Sequence, residues 1–224
     1  MKIDTSLKKF KLLHKKKQNQ IIAYSKNCKN YTFVENLYKF ILVKQNSFIF
    51  ESVEKGVIRG RYTIIGYDPD KIFNIKKNKF FINDLKKIKI VKTNILNYLN
   101  KLIKDFKVKV SHNLPRMSSM LVGYFSYDII RFIEKIPDKC KDDLNIPDIR
   151  LMRPRKLIIY DNVKKKIFLI QNIFKDQSIS NYEFEYQKIK NDFIELLHFG
   201  NISLPSNFYK THKKIKIKSN ISKS

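Results

Sequence analysis

The sequence predicts an α+β fold, mainly antiparallel sheets with flanking helices. Three observations carry this. Apolar stretches of strand length come in closely spaced pairs, as the arms of hairpins do. Segments with apolar residues at helical spacing lie between those pairs, rather than alternating singly with strands as a parallel sheet would require. And 43% of the 224 residues are hydrophobic and 13% aromatic, enough to fill the core of one large domain or two small ones.

The elements follow in order. Residues 1–20 are polar and basic (MKIDTSLKKFKLLHKKKQNQ), and a frayed end is expected there, within a basic N-terminal arm over 1–30. Thr32 with Glu35 has the spacing of a capping box, and Val34, Leu37, Tyr38 and Ile41 recur at helical spacing, so residues 33–44 read as an amphipathic helix. Residues 47–52 and 61–67 read as strands, with a turn at Asp68-Pro69. Residues 71–76 and 79–82 form a second pair, closing at Lys77-Asn78. Ile95, Leu99, Leu102 and Phe106 mark another helix. Residues 120–127 read as a strand leading into a short helix at 128–134. Residues 156–161 and 166–171 form a hairpin around Asn162. Ser180 and Glu183 are placed to cap a last helix with Tyr186, Ile189, Phe193 and Leu197 inward, and a polar, lysine-rich loop follows Gly200. There is no internal repeat.

The formal net charge is +27, from 47 basic and 20 acidic residues, but only seven of the basic residues are arginine. Arginine is the better residue for bidentate phosphate and base contacts. The lysines are also spread over the whole chain among Ile and Asn, so a nucleic-acid partner is not expected. No run approaches ~18 uninterrupted apolar residues, so no membrane span is expected. Cys28 and Cys140, with no C-x-x-C, suggest a reducing compartment, and the cytoplasm is the expected location. Catalytic candidates are few. His14, His112, His198 and His212 have no metal-ligand spacing, and neither a Walker loop nor G-x-G-x-x-G occurs among five glycines.

Three stretches stand out. In FIFESVEKGVIRGRYTIIGYDP, the apolar run Phe48-Ile49-Phe50 passes into Glu51-Ser52. A carboxylate and a hydroxyl at a strand end can hold the ammonium group of a small ligand, or they can be solvated polar residues; the residues alone leave both open. In LVGYFSYDIIRFIEK, Gly123 permits close backbone approach at a strand–helix junction. In IPDIRLMRPRKLIIYDNVKKKIFLI, Asp148, Arg150, Arg153 and Arg155 can be an ion-pair network or an anion patch, and a network is the usual arrangement.

Taken together, these stretches resemble the N-terminal region of anthranilate synthase component I, over roughly residues 31–171. The resemblance rests on Phe50-Glu51-Ser52-Val53-Glu54, on Gly60-Arg61-Tyr62-Thr63 with Gly66 and Pro69, on Val122 to Asp128 with Arg131, and on Pro147-Asp148 with Asp161. The ending SNISKS resembles the segment that opens that family's chorismate-binding domain. The resemblance implies a regulatory domain over 31–198 and, over 199–224, a linker to a missing catalytic domain. It implies an enzyme that makes anthranilate and pyruvate from chorismate, with ammonia from a glutamine amidotransferase subunit (component II). Its magnesium and chorismate ligands would not be in this chain, which alone would be inactive and would expose an apolar patch. It also implies half of a feedback site for L-tryptophan. Ser52 would hydrogen-bond the inhibitor, Glu51 would lie beside its ammonium group, Phe50 would line the apolar side, and Arg61 would be an ion-pair partner. The sequence departs from the pattern where Phe50 replaces a leucine, Lys55 and Arg59 replace glycine and tryptophan, and Ser119-Met120 replace two glycines. Aminodeoxychorismate synthase component I and a stand-alone basic binding module are the alternatives.

Overall fold

A computed structural model describes residues 3–51, 60–77, 79–84, 87–91, 94–137, 141–142 and 144–202. The fold is α+β. Among the described residues, eight strands form one antiparallel sheet: β1 (Gln20–Asn27), β2 (Phe48–Phe50), β3 (Tyr62–Lys76), β4 (Lys79–Asp84), β5 (Lys87–Val91), β6 (Val122–Phe125), β7 (Ile149–Asp161) and β8 (Lys166–Ile173). Their order is β1-β8-β7-β3-β4-β5, with β2 added to β3 and β6 to β7.

Strand alternation builds the two faces. Ile65 and Tyr67 of β3, Ile158 and Tyr160 of β7, and Ile167 and Leu169 of β8 meet helices α1 (Leu7–Lys15), α2 (Thr32–Leu42) and α4 (Tyr182–Asn201). Leu157, Ile159, Phe168 and Ile170 point the other way, under a segment that supplies Val108, Val110, Leu114 and Met117. Helix α3 (Ile95–Phe106) covers the far end, over Phe73, Ile75, Phe80 and Leu151. In α2, Val34, Leu37 and Ile41 share one face and are buried, each contributing on the order of 1.5–3 kcal/mol. Gly200 lies within α4, where a Cβ would stand 2.3 Å from the Phe33 ring; the missing side chain is what lets α2 and α4 pack together.

Several expectations are corrected. Residues 3–30 are not a frayed arm: β1 pairs with β8 from Gln20↔Ile173 to Asn27↔Lys166, and Phe10 of α1 is fully buried against Tyr182 and Tyr186. The lysines masked this because Lys8, Lys9 and Lys15 stay on the outer face of α1. The capping box is not used: Tyr31 opens α2 without a side-chain cap, and Asn30 Oδ1 accepts the Thr32 N–H at 3.0 Å. Asn181, not Ser180, caps α4, accepting the Phe184 N–H at 2.9 Å. Asp68-Pro69 is no turn. β3 runs through it with a register shift between Pro69 and Lys71, and Asp68 takes φ 54°. Pro69 stands opposite Pro154, so the ladder lacks a donor on both strands at the same place, a position where a bulge is tolerated. β5 went unread because KIKIV sets single isoleucines among lysines.

The other hairpins agree with the sequence. Lys76↔Lys79 closes β3–β4 with Lys77 at φ 44°, and Asp161↔Lys166 closes β7–β8. Among the described residues no helix is long and apolar enough to cross a membrane.

Candidate functional site

β2 lies against β3 in the register Phe48↔Gly66, Ile49↔Ile65, Phe50↔Ile64. Gly66 is required, since a Cβ there would sit 2.2 Å from the Phe48 ring. Among the described residues β3 is the only strand beside β2. Ile49 packs into the helix-side core, and Phe48 on the opposite side. Phe50 follows Phe48: the two rings are 4.8 Å apart, and Phe50 is 48% exposed.

Glu51 turns to the helix side, where its Oε1 accepts a hydrogen bond from the Tyr31 hydroxyl. The Tyr38 hydroxyl lies 2.7 Å from that of Tyr31. A phenol has one proton, and Tyr31 gives its proton to Glu51, so Tyr38 donates to Tyr31. The Tyr31 ring is fixed edge-on against Tyr160 at 5.5 Å, and the Tyr160 hydroxyl donates to the Cys28 carbonyl at 3.1 Å. Burial, then the bond to Glu51, pushes the Tyr31 phenol above its ordinary range; burial does the same to Tyr38. Both therefore remain protonated donors at neutral pH.

Of the three residues expected at the ligand site, Phe50 and Glu51 sit on opposite faces at the end of β2, and Ser52 lies outside the described residues. Tyr31 and Tyr38 were not anticipated. Their seven-residue separation puts both on one face of α2, but a sequence cannot tell such a pair from core aromatics.

Arg61 is an ion-pair partner: Nε and Nη2 reach Asp161 at 3.1 and 2.7 Å. Burial would raise the Asp161 carboxyl, but Arg61 and the N–H groups of Lys164 and Val163 hold it below the ordinary range. The expected arginine network exists with different partners. Arg153 bridges Asp70 and Asp176, Arg155 forks onto Asp68, and Arg150 reaches Asn74 and Asn46. Asp148 instead accepts the Lys77 N–H. Gly123 makes the expected close approach, since a Cβ there would lie 1.8 Å from the Arg150 carbonyl oxygen.

A cavity of about 390 Å³ at the start of α2 is lined by Lys26, Cys28, Asn30 and Asn36 among others, and by none of the expected site residues. Asn36 and Cys28 of this lining are already engaged. Asn36 donates to the carbonyls of Gly200 and Ile202, and the Cys28 thiol donates to that of Asn30, with burial pushing its pKa up. His14 is held between the Tyr182 hydroxyl and the Gln177 carbonyl, each at 3.0 Å. Among the described residues no three His, Cys, Asp or Glu side chains are placed to hold a metal ion.

Comparison with known proteins places this arrangement. The chain is 30% identical over 181 residues to anthranilate synthase component 1 of Cereibacter sphaeroides, covering 79% of this chain and 36% of that protein. It is 33% identical over 145 residues to the protein of the same name from Acetivibrio thermocellus (64% and 29% covered), and 29% identical over 220 residues to that of Acinetobacter calcoaceticus (93% and 42%). The chain thus spans between 29% and 42% of the length of these curated relatives. The crystal structure of anthranilate synthase component I from Streptococcus pneumoniae shares the fold, with a TM-score of 0.52 over 77% of this chain and 36% of that one at 21% identity. The family model described as chorismate binding enzyme matches residues 45–223. The chain belongs to the chorismate binding enzyme family.

Proposed function

We propose that this chain is the N-terminal, regulatory part of an anthranilate synthase component 1. The whole protein converts chorismate and ammonia to anthranilate and pyruvate, with ammonia delivered by a glutamine amidotransferase subunit. In this reading the end of β2 is half of a feedback site for L-tryptophan. Ser52 hydrogen-bonds the amino acid, Glu51 lies beside its ammonium group, and Phe50 offers apolar surface.

The observation that carries the reading is the exposed carboxylate of Glu51 beside the half-exposed Phe50 ring at the end of β2. An amino acid lying at that strand end meets Phe50 on one side of the strand and Glu51 on the other. Three curated relatives with the name anthranilate synthase component 1 support the choice of reaction. Magnesium belongs to the whole protein, and no magnesium ligand is assigned to this chain. Binding at β2 and chorismate turnover are then coupled through the packing between the two parts, with a coupling free energy of about 1–3 kcal/mol.

The test is made on the native protein from its own cells. An immunoblot with an antibody to this chain gives its mass, and incubation with chorismate, ammonia and magnesium gives its product. Anthranilate formation that L-tryptophan inhibits supports the reading. Aminodeoxychorismate as product, or a tryptophan-insensitive synthase, overturns it. Ser52→Ala is expected to raise the tryptophan concentration for half-inhibition about tenfold, the loss of one hydrogen bond to a charged ligand; an unchanged value removes Ser52 from the site.

A further inference from the structure

The sheet's acidic residues are paired with cations almost wherever they occur. Asp68 holds Arg155, Asp70 and Asp176 hold Arg153, and Asp161 holds Arg61. Glu51 differs. In a chain with 47 basic residues it forms no ion pair with a described lysine or arginine, and its Oε1 is held by a neutral phenol. The chain of hydrogen bonds Tyr38→Tyr31→Glu51 is rooted in packed structure, because both tyrosines are half-buried and Tyr31 is wedged against Tyr160. Such a chain orients a carboxylate without neutralising it. A carboxylate so oriented, with no described lysine or arginine paired to it, suits a cation, and an ammonium group makes the charge-assisted hydrogen bond that it offers.

We infer that Tyr31 and Tyr38 are positioning residues that aim Glu51 at the α-ammonium group of an amino acid bound along β2, and so set the selectivity of the site for an amine-bearing ligand. The inference rests on the feedback-site reading and extends it from the strand to helix α2. Tyr31 fixes the carboxylate directly, and Tyr38 fixes Tyr31. The Tyr31 effect should therefore be the larger.

The test uses the native protein, which under that reading holds both halves of the site, and two indole ligands, L-tryptophan and indole-3-propionate, which lacks the ammonium group. Equilibrium dialysis reads the affinity of each ligand. Tyr31→Phe should weaken L-tryptophan about tenfold and Tyr38→Phe about threefold, with indole-3-propionate unchanged by either. Glu51→Gln, at an exposed position, should reproduce the Tyr31→Phe pattern and keeps the test available if Tyr31→Phe does not fold. Equal losses for both ligands would make the cluster a structural anchor only and overturn the inference. So would wild-type affinity for L-tryptophan in all three variants. Absence of L-tryptophan binding by the native wild-type protein would instead remove the feedback-site reading itself, and the inference with it.

Discussion

The middle and the start of β3 carry polar clusters of opposite character. At the bulge, Arg153 lies buried between Asp70 and Asp176, with its guanidinium 4.0 Å above the Phe174 ring. Gln177 adds a weaker contact to Asp70 at 3.4 Å. Beside the start of β3, Tyr38, Tyr31 and Glu51 make a neutral relay that finishes on an exposed carboxylate. The first cluster is closed on itself, as buried charge must be. The second is satisfied on its protein side and open on its solvent side. The difference separates a polar group that serves the fold from one available to a ligand.

The comparison can be broken at either end. The largest effect is expected from Arg153→Met, which leaves buried Asp70 without its cation and should cost about 3–5 kcal/mol in urea unfolding. A loss under about 1 kcal/mol would show that the network is not the structural member of the pair.

Acid should act next. Burial would raise Asp176, but Lys71 and Arg153 hold its carboxyl below the ordinary range, and Asp161 behaves likewise with Arg61. A depressed folded value means stability that is fully present above the unfolded pKa of about 3.9 and is lost as pH falls through the lower folded one. The urea midpoint should therefore not fall on account of these pairs until the pH drops below about 4. A midpoint unchanged through that lower window would contradict their role.

The smallest effect belongs to the open end. Glu51→Gln should change stability by no more than about 0.5 kcal/mol, because the position is exposed and the amide still accepts from Tyr31. A large stability loss there would erase the distinction between the clusters.

The elements legible in the sequence were those whose apolar residues kept one period without competition. The α2 face of Val34, Leu37 and Ile41 is one case, and the β7–β8 hairpin is another. Two of the missed elements share a cause. In α1 and β5, lysines are set among the apolar residues, and composition outweighed periodicity. Asp68-Pro69 carries a strong local turn signal, which the facing Pro154 overrides only through a partner more than eighty residues away. The candidate site was half legible. Phe50-Glu51 at a strand end could be read directly, whereas the tyrosine relay depends on the angle at which α2 crosses the sheet, which no local pattern encodes.

The facing prolines have a dynamic consequence. Residues 62–67 of β3 pair with 156–161 of β7 beneath α2 and α4, and residues 71–75 pair with 149–153 beside α3. The break between them makes one continuous strand into two cooperative opening units. Native-state amide exchange should then resolve two plateaus along β3, with the α3-side ladder opening without the ladder on which β2 is paired.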